Sequence, residues 1–405
     1  MKVLILSTFS KTGGAAIAAS RLLKALNANG VEATMLSRKS LDLPFWKEKW
    51  GGIPALIERL CVWLTTGLHM EYLFAADIAN IGDDIINTPE FKEADVIHLH
   101  WINQGFISLH TLRRIVHSGK RIVWTMHDQW AMTGICHYSD DCHGYEKDCG
   151  NCPLLRYSMT HGVARRVFNA KRRIYSEGRI TFVTCSQWLG SMARTSAIAK
   201  GIEVLSIPNP IDTTLFAPMD RAEARQLLGL STDGTKILFG CQKVTDERKG
   251  LYYLIQATAY LPDVEVLLVG GSAQSTKALM PRNIKTTCIG QVNDPRRMAA
   301  LYAAADAFVT PSLQDNLPNT IMEAMACGTP CVGFNVGGIP EMIDHKVNGF
   351  VAQYKSAESL AQGIFYVTAP ENAMRLSKTA REKVMQEYSE RSVAERYIEV
   401  YKQQG

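Results

Sequence analysis

No segment of this 405-residue chain reaches the ~18–20 uninterrupted apolar residues needed to cross a bilayer. The nearest run, Ile53 to Leu68, is broken by Glu58 and Arg59. It reads as an amphipathic helix, with packing on a core preferred over lying at a membrane interface. Charge of one sign is also missing: 44 Lys and Arg face 39 Asp and Glu, too even a balance for a dedicated nucleic-acid binder. Ten cysteines are far too few for a disulfide-stapled scaffold. Low-complexity tracts and solenoid-length repeats are absent. The start, Met1-Lys2-Val3-Leu4-Ile5-Leu6, lacks a signal-length apolar segment and reads as a first strand. A cytoplasmic location is therefore expected, with peripheral contact on the inner face of the cell membrane as an extension of it.

What is present is globular. Hydrophobic residues make up 46% and charged residues 20%, which excludes a disordered chain, a collagen and a coiled-coil rod. The length suits two or three domains, each able to bury a core. Short Val-, Ile- and Leu-rich runs alternate with helical stretches. Val3–Leu6, Val96–Leu99, Ile122–Met126 and Phe182–Thr184 are expected strands of a first half. Ile237–Phe239, Val264–Val269, Thr287–Ile289, Ala307–Thr310 and Cys331–Gly333 are expected strands of a second. Apolar strands separated by helices imply parallel sheets covered on both faces. Between the halves, Ile207-Pro208-Asn209-Pro210-Ile211-Asp212 makes a stiff connector. The expected architecture is α/β, with two doubly wound Rossmann-like domains facing across a cleft. Domains of 1–210 and 211–385 are followed by a closing helical segment, 386–405. In such sheets ligands sit outside the carboxyl ends of the strands.

Candidate residues indeed follow strands. After the first comes Gly13-Gly14 at a helix start, where backbone N–H groups favour an anion. Gly-x-Gly-x-x-Gly spacing is absent there, so no dinucleotide cofactor is indicated. His127 and Asp128 follow Ile122–Met126, where an imidazole can bind a hydroxyl, move a proton or merely cap a loop. Arg248-Lys249-Gly250 opens a helix and offers two cations to a diphosphate. Thr310 to Pro330 is richest. A strand runs into a polar loop with Asp315, Asn316 and Leu317, and then into a helix carrying Asn319, Thr320 and Glu323. Glu323 lies in the apolar run Ile-Met-Glu-Ala-Met-Ala, so it must meet a ligand or a fixed donor. Gly337-Gly338-Ile339-Pro340-Glu341 makes a second tight turn.

Four of the ten cysteines, Cys136, Cys142, Cys149 and Cys152, fall in an insert spanning about 134–153. A structural tetrathiolate zinc site leads the readings, with disulfide or redox pairs and unliganded thiols as alternatives. Arg165, Arg166, Lys171, Arg172, Arg173 and Arg179 make the next stretch basic, a solvated helix face or a contact for anionic lipid or a phosphate-bearing acceptor.

Asp315-x7-Glu323 followed by Ala-Met-Ala-Cys-Gly-Thr-Pro resembles the Glu-x7-Glu signature of retaining GT-B glycosyltransferases of family four, the group 1 type. The connector, Lys249-Gly250, Gly337 to Glu341, His127 and Gly13-Gly14 match in order across the chain. The resemblance implies a UDP- or GDP-sugar donor and a glycan or lipid-linked acceptor, in bacterial surface polysaccharide synthesis. Glu323 would hold the ribose. Asp315 and the backbone from Asn316 to Thr320 would meet the donor sugar and phosphates. Lys249, with Arg248, would neutralise the diphosphate. His127 and Gly14 would reach the donor from the opposite domain, and the closing helices would cross back to the first. His127, Asp315 and Lys249 are the catalytic candidates, and no catalytic cofactor is implied. The first carboxylate is Asp rather than Glu, and Asn316-Leu317-Pro318-Asn319 replaces the family's Gly-rich tip. A sugar-nucleotide epimerase of the same architecture and a silent nucleotide-sugar-binding scaffold are the competing functions.

Overall fold

The structure is a computed structural model and describes residues 1–38, 53–156 and 160–403. The chain divides into two compact units, Met1–Ile207 with Ala394–Gly405, and Pro208–Val393. In the first unit, β1 (Lys2–Leu6), β2 (Glu32–Leu36), β3 (Val96–Leu99), β4 (Arg121–Met126), β5 (Ile180–Thr184) and β6 (Glu203–Ser206) form one sheet, ordered β2-β1-β3-β4-β5-β6. Every pairing is parallel. In the second, β7 (Thr235–Lys243), β8 (Val264–Gly271), β9 (Lys285–Gly290), β10 (Ala307–Thr310), β11 (Cys331–Phe334) and β12 (Gly349–Ala352) run in the order β12-β11-β10-β7-β8-β9, again all parallel. The doubly wound α/β expectation holds in both units.

Central strands read as apolar runs because helices cover both faces; Ile5, Ile97, Val123 and Val183 are all fully buried. The strands missing from the sequence expectation are β2, β6 and β12. All three are sheet edges: β2 alternates buried with exposed positions, β6 has none fully buried, and β12 begins on a glycine. The first unit is discontinuous. From the helix Glu390–Lys402, Tyr397 Oη meets Thr125 Oγ1 at 2.8 Å and Tyr401 Oη meets His98 Nδ1 at 2.7 Å.

The helix Ile53–Thr65 packs on a buried cluster through Val62, but the face it turns inward is not its leucine face. Its buried residues are Glu58 and Val62, while Leu56, Leu60 and Leu64 are 68%, 48% and 56% exposed. The reason lies in unpaired backbone donors beneath it. Glu58 accepts the N–H groups of Ile78 at 2.5 Å, Ala79 at 2.9 Å and Asn80 at 3.2 Å. Arg59 reaches Asp77 Oδ2 at 2.9 Å and the carbonyl of Leu73. A carboxylate that satisfies three N–H groups outcompetes leucine for the inward position. Among the described residues no helix is long and apolar enough to cross a membrane.

Candidate active site

In the second unit, β7 leads through a short 3-10 turn, Glu247–Lys249, into the helix Leu251–Ala257. Gly250 between them has φ 71°, and a Cβ there would lie 1.9 Å from the carbonyl oxygen of Pro311. Only glycine lets this turn lie against the loop that follows β10. That loop is held at several points. Leu313 N–H donates to Arg248 O at 2.7 Å, and Arg248 Nη1 donates to Gln314 O at 2.9 Å. Lys249 Nζ bonds Asp315 Oδ2 at 2.5 Å. From the other side Gly337, at φ 59°, lies so close that a Cβ would sit 1.9 Å from Asp315 O, and Gly338 N–H donates to that oxygen at 3.2 Å.

Asp315, Asn316 and Leu317 are buried, and Pro318 caps the helix Asn319–Ala326 without a side-chain bond. The first-turn N–H groups of such a helix lack intrahelical acceptors and favour an anion. Asn319 Oδ1 accepts from Asn209 Nδ2 at 3.1 Å. Glu323 is buried, and its Oε2 accepts the Tyr302 hydroxyl at 2.9 Å. Tyr302 is fully buried, and that burial, reinforced by the neighbouring carboxylate, pushes its pKa well above the ordinary value. Arg248, Lys249, Asp315 and Gly337 thus meet at one loop, which leads into the helix carrying Asn319, Thr320 and Glu323. Sequence reasoning did not find Tyr302; a tyrosine in an otherwise alanine-rich helix, Pro295–Ala304, was the available signal.

In the first unit, Gly13 caps the helix Gly14–Ala28 at φ 91°. A Cβ at Gly13 would meet nothing within 4 Å, so conformation rather than crowding selects glycine. His127 follows β4 as expected, but other side chains engage both ring nitrogens. Nε2 lies 2.8 Å from His100 Nδ1, and Nδ1 lies 3.5 Å from Cys185 Sγ. Burial pushes its pKa down to about 4, so it is a neutral imidazole at pH 7. Beside it, Asp128 accepts from Trp101 Nε1 at 2.8 Å and pairs with His137 Nδ1 at 2.7 Å. Burial would raise the Asp128 pKa, but His137 and the donors around it outweigh that and hold the carboxyl below its ordinary value. His100, Trp101 and His137 went unread in the sequence. His100-Trp101 follows β3 directly, by the same rule that located His127.

The four insert cysteines are free thiols, and among the described residues no group of three or more His, Cys, Asp or Glu side chains stands where it could hold a metal ion. Beside them Lys171 is fully buried and donates to the carbonyls of Trp130, Thr133 and Gly134 at 2.6, 3.2 and 3.0 Å.

Two doubly wound α/β units, each built on an all-parallel six-stranded sheet, define a class. HepE of Anabaena, solved in complex with UDP-glucose, is similar with a TM-score of 0.62 and 17% identity, covering 99% of each chain. The fold is that of the GT-B glycosyltransferases. The family profile Glycosyltransferase Family 4 matches residues 12–215, and Glycosyl transferases group 1 matches residues 235–369. The chain belongs to glycosyltransferase family 4. It is 25% identical over 215 residues to the alpha-maltose-1-phosphate synthase of Mycolicibacterium smegmatis, a match covering 48% of this chain and about half of that enzyme, 56%. It is 24% identical over 326 residues to the putative colanic acid biosynthesis glycosyl transferase WcaC of Escherichia coli, covering 76% of each.

Proposed function

We propose that this glycosyltransferase moves a sugar from a nucleoside-diphosphate sugar to a glycan or lipid-linked acceptor, with retention of configuration. The observation that carries the reading is the Lys249–Asp315 pair at 2.5 Å, on a loop leading into an uncapped helix start. Departure of a nucleoside diphosphate builds negative charge, which a positioned ammonium and first-turn N–H groups stabilise without reorganising. Asp315 places the ammonium and, when the ammonium shifts to the leaving diphosphate, meets the donor sugar. Glu323, oriented by Tyr302, binds the ribose hydroxyls. Further support for the donor class comes from HepE, solved with UDP-glucose, and for surface polysaccharide synthesis from WcaC. The test is a thermal-shift panel of UDP-, GDP- and ADP-sugars, followed by product analysis of the anomeric configuration. Binding to the folded state raises apparent stability by mass action. No shift with any of the three would end the donor reading, and an inverted product would end the retaining one.

Structural zinc at Cys136, Cys142, Cys149 and Cys152 is a second, separate proposal. Its support is the spacing of the four cysteines, two of whose sulfurs already face an N–H donor. Gly144 N–H points at Cys142 Sγ at 3.4 Å and Gly134 N–H at Cys149 Sγ at 3.2 Å. Burial nevertheless outweighs the donors and pushes the Cys136 and Cys149 thiols up to about 12, so a bound cation would have to supply the stabilisation of the thiolates. Loading would require the side chains to converge further, since no three stand as a metal group. Metal analysis giving about one zinc per chain would carry the proposal, and a folded, metal-free protein would end it.

A further inference from the structure

The first unit holds a broad open cavity of about 1740 Å³ at the edge where β4, β5 and β6 begin. This is the opposite edge from His127, which follows the end of β4. Six residues of strand at ~3.3 Å each place the two about 20 Å apart. Lys120, Arg121, Arg172, Arg179 and Lys200 line it against only Glu177 and Glu203. Glu177 is paired with cations, whereas Glu203 meets only a hydroxyl of the cavity wall. Glu177 takes a two-pronged bond from Arg113 at 2.8 and 3.0 Å and meets His117 at 2.9 Å, while Glu203 accepts from Thr181 at 3.2 Å.

The cations divide in two. Lys120 is spent on the carbonyls of Lys92 and Ala94 at 3.0 and 2.6 Å. Arg121 donates to the carbonyl of Gln403, yet its Nε is buried without a partner. Arg172, Arg179 and Lys200 are exposed and have no hydrogen-bond or ion-pair partner among the described residues. They come from three separate segments: the helix Val163–Ser176, the turn before β5 and the turn before β6. Like charges converging from three segments, with Glu177 paired to Arg113 and Glu203 the one acid left unpaired by a cation, make a positive focus that a multivalent anion would fill.

We propose that this cavity is a phosphate-binding site, distinct from the donor loop, which takes a diphosphate or the phosphate of an anionic lipid headgroup. The chemistry is the same for either source, and the experiment separates them. Pyrophosphate is titrated calorimetrically into the full chain carrying Lys249→Ala, which removes the donor-loop ammonium. In parallel, flotation with phosphatidylglycerol vesicles is compared with phosphatidylcholine vesicles. Pyrophosphate binding that weakens by about tenfold or more on adding Arg172→Ala, Arg179→Ala and Lys200→Ala assigns a soluble diphosphate. Flotation with phosphatidylglycerol alone, lost in the same triple variant, assigns a headgroup. The three residues are exposed and belong to the other unit than the donor loop, so circular dichroism should be unchanged. The proposal is overturned if neither probe binds, or if the folded triple variant binds every probe that the parent binds as well as the parent does. Since both readouts are binding rather than turnover, failure of the donor reading would leave them intact.

Discussion

Tyr302→Phe isolates what orients Glu323. The substitution keeps the ring and leaves no cavity, so the lost hydroxyl is the whole perturbation. That hydroxyl donates at 2.9 Å to a buried carboxylate, from a fully buried ring. A hydrogen bond to a charged group contributes roughly 1.5–3 kcal/mol, and depriving a buried acceptor of it costs a similar amount. Urea unfolding should therefore show the variant less stable by about 1.5–3 kcal/mol with an unchanged m-value. If Glu323 holds the ribose, a carboxylate that has lost the Tyr302 donor also binds the sugar nucleotide less well, by on the order of tenfold in Kd, measured by calorimetry. Glu323→Gln should weaken donor by a comparable factor. The double variant should lose less than the sum, because the two act through one contact. A Tyr302→Phe protein as stable as the parent would refute the energetic argument. One that is destabilised but binds donor normally would refute the ribose assignment.

Lys249→Ala should lower kcat by on the order of ten- to a hundredfold with a smaller change in donor KM, because leaving-group charge grows in the transition state. Asp315→Asn should raise KM and lower kcat together, and steady-state kinetics with varied donor separates the two patterns. Gly337→Ala should destabilise the second unit by about 1–3 kcal/mol or more, seen by urea unfolding, since it adds a Cβ at φ 59° and 1.9 Å from Asp315 O. Burial, with Asp77 adding to it, pushes the Glu58 pKa up to about 7 from 4.5. The folded state therefore holds its proton more tightly than the unfolded one. Stability from this group is full below pH 4.5 and is lost as pH rises through 7, about 3 kcal/mol in all. The parent minus Glu58→Gln difference in unfolding free energy should fall between pH 4.5 and 8; a flat difference would contradict the burial argument.

Legibility in the sequence followed burial. Central strands such as β4 and β8 announce themselves because both faces are covered, whereas the edge strands β2 and β6 carry mixed patterns and β12, though mostly buried, is four residues long and starts on a glycine. The Lys249, Asp315 and Glu323 loop was readable because charged residues and glycines interrupt apolar runs just after strands. Tyr302 was not, since its role depends on a partner 21 positions away. The helix Ile53–Thr65 misled for a physical reason. Hydropathy periodicity assumes that apolar side chains win the interior, and here three backbone N–H groups gave that place to Glu58. His127 was found by position, but its neutral state and its engagement with His100 depend on packing that no local pattern encodes.

The bonds from Tyr397 and Tyr401 to Thr125 and His98 also fix an order of events during synthesis. Pro208–Val393 is continuous and can close its sheet as it leaves the ribosome, while the β3 and β4 core of the other unit waits for residues almost at the end of the chain. At ~5–20 residues per second, the interval between completing residue 207 and delivering residue 401 is about 10–40 s. Throughout it the buried imidazole of His98 lacks its tyrosine partners. A chaperone acting on this nascent chain would meet the first-made half as the last to become native.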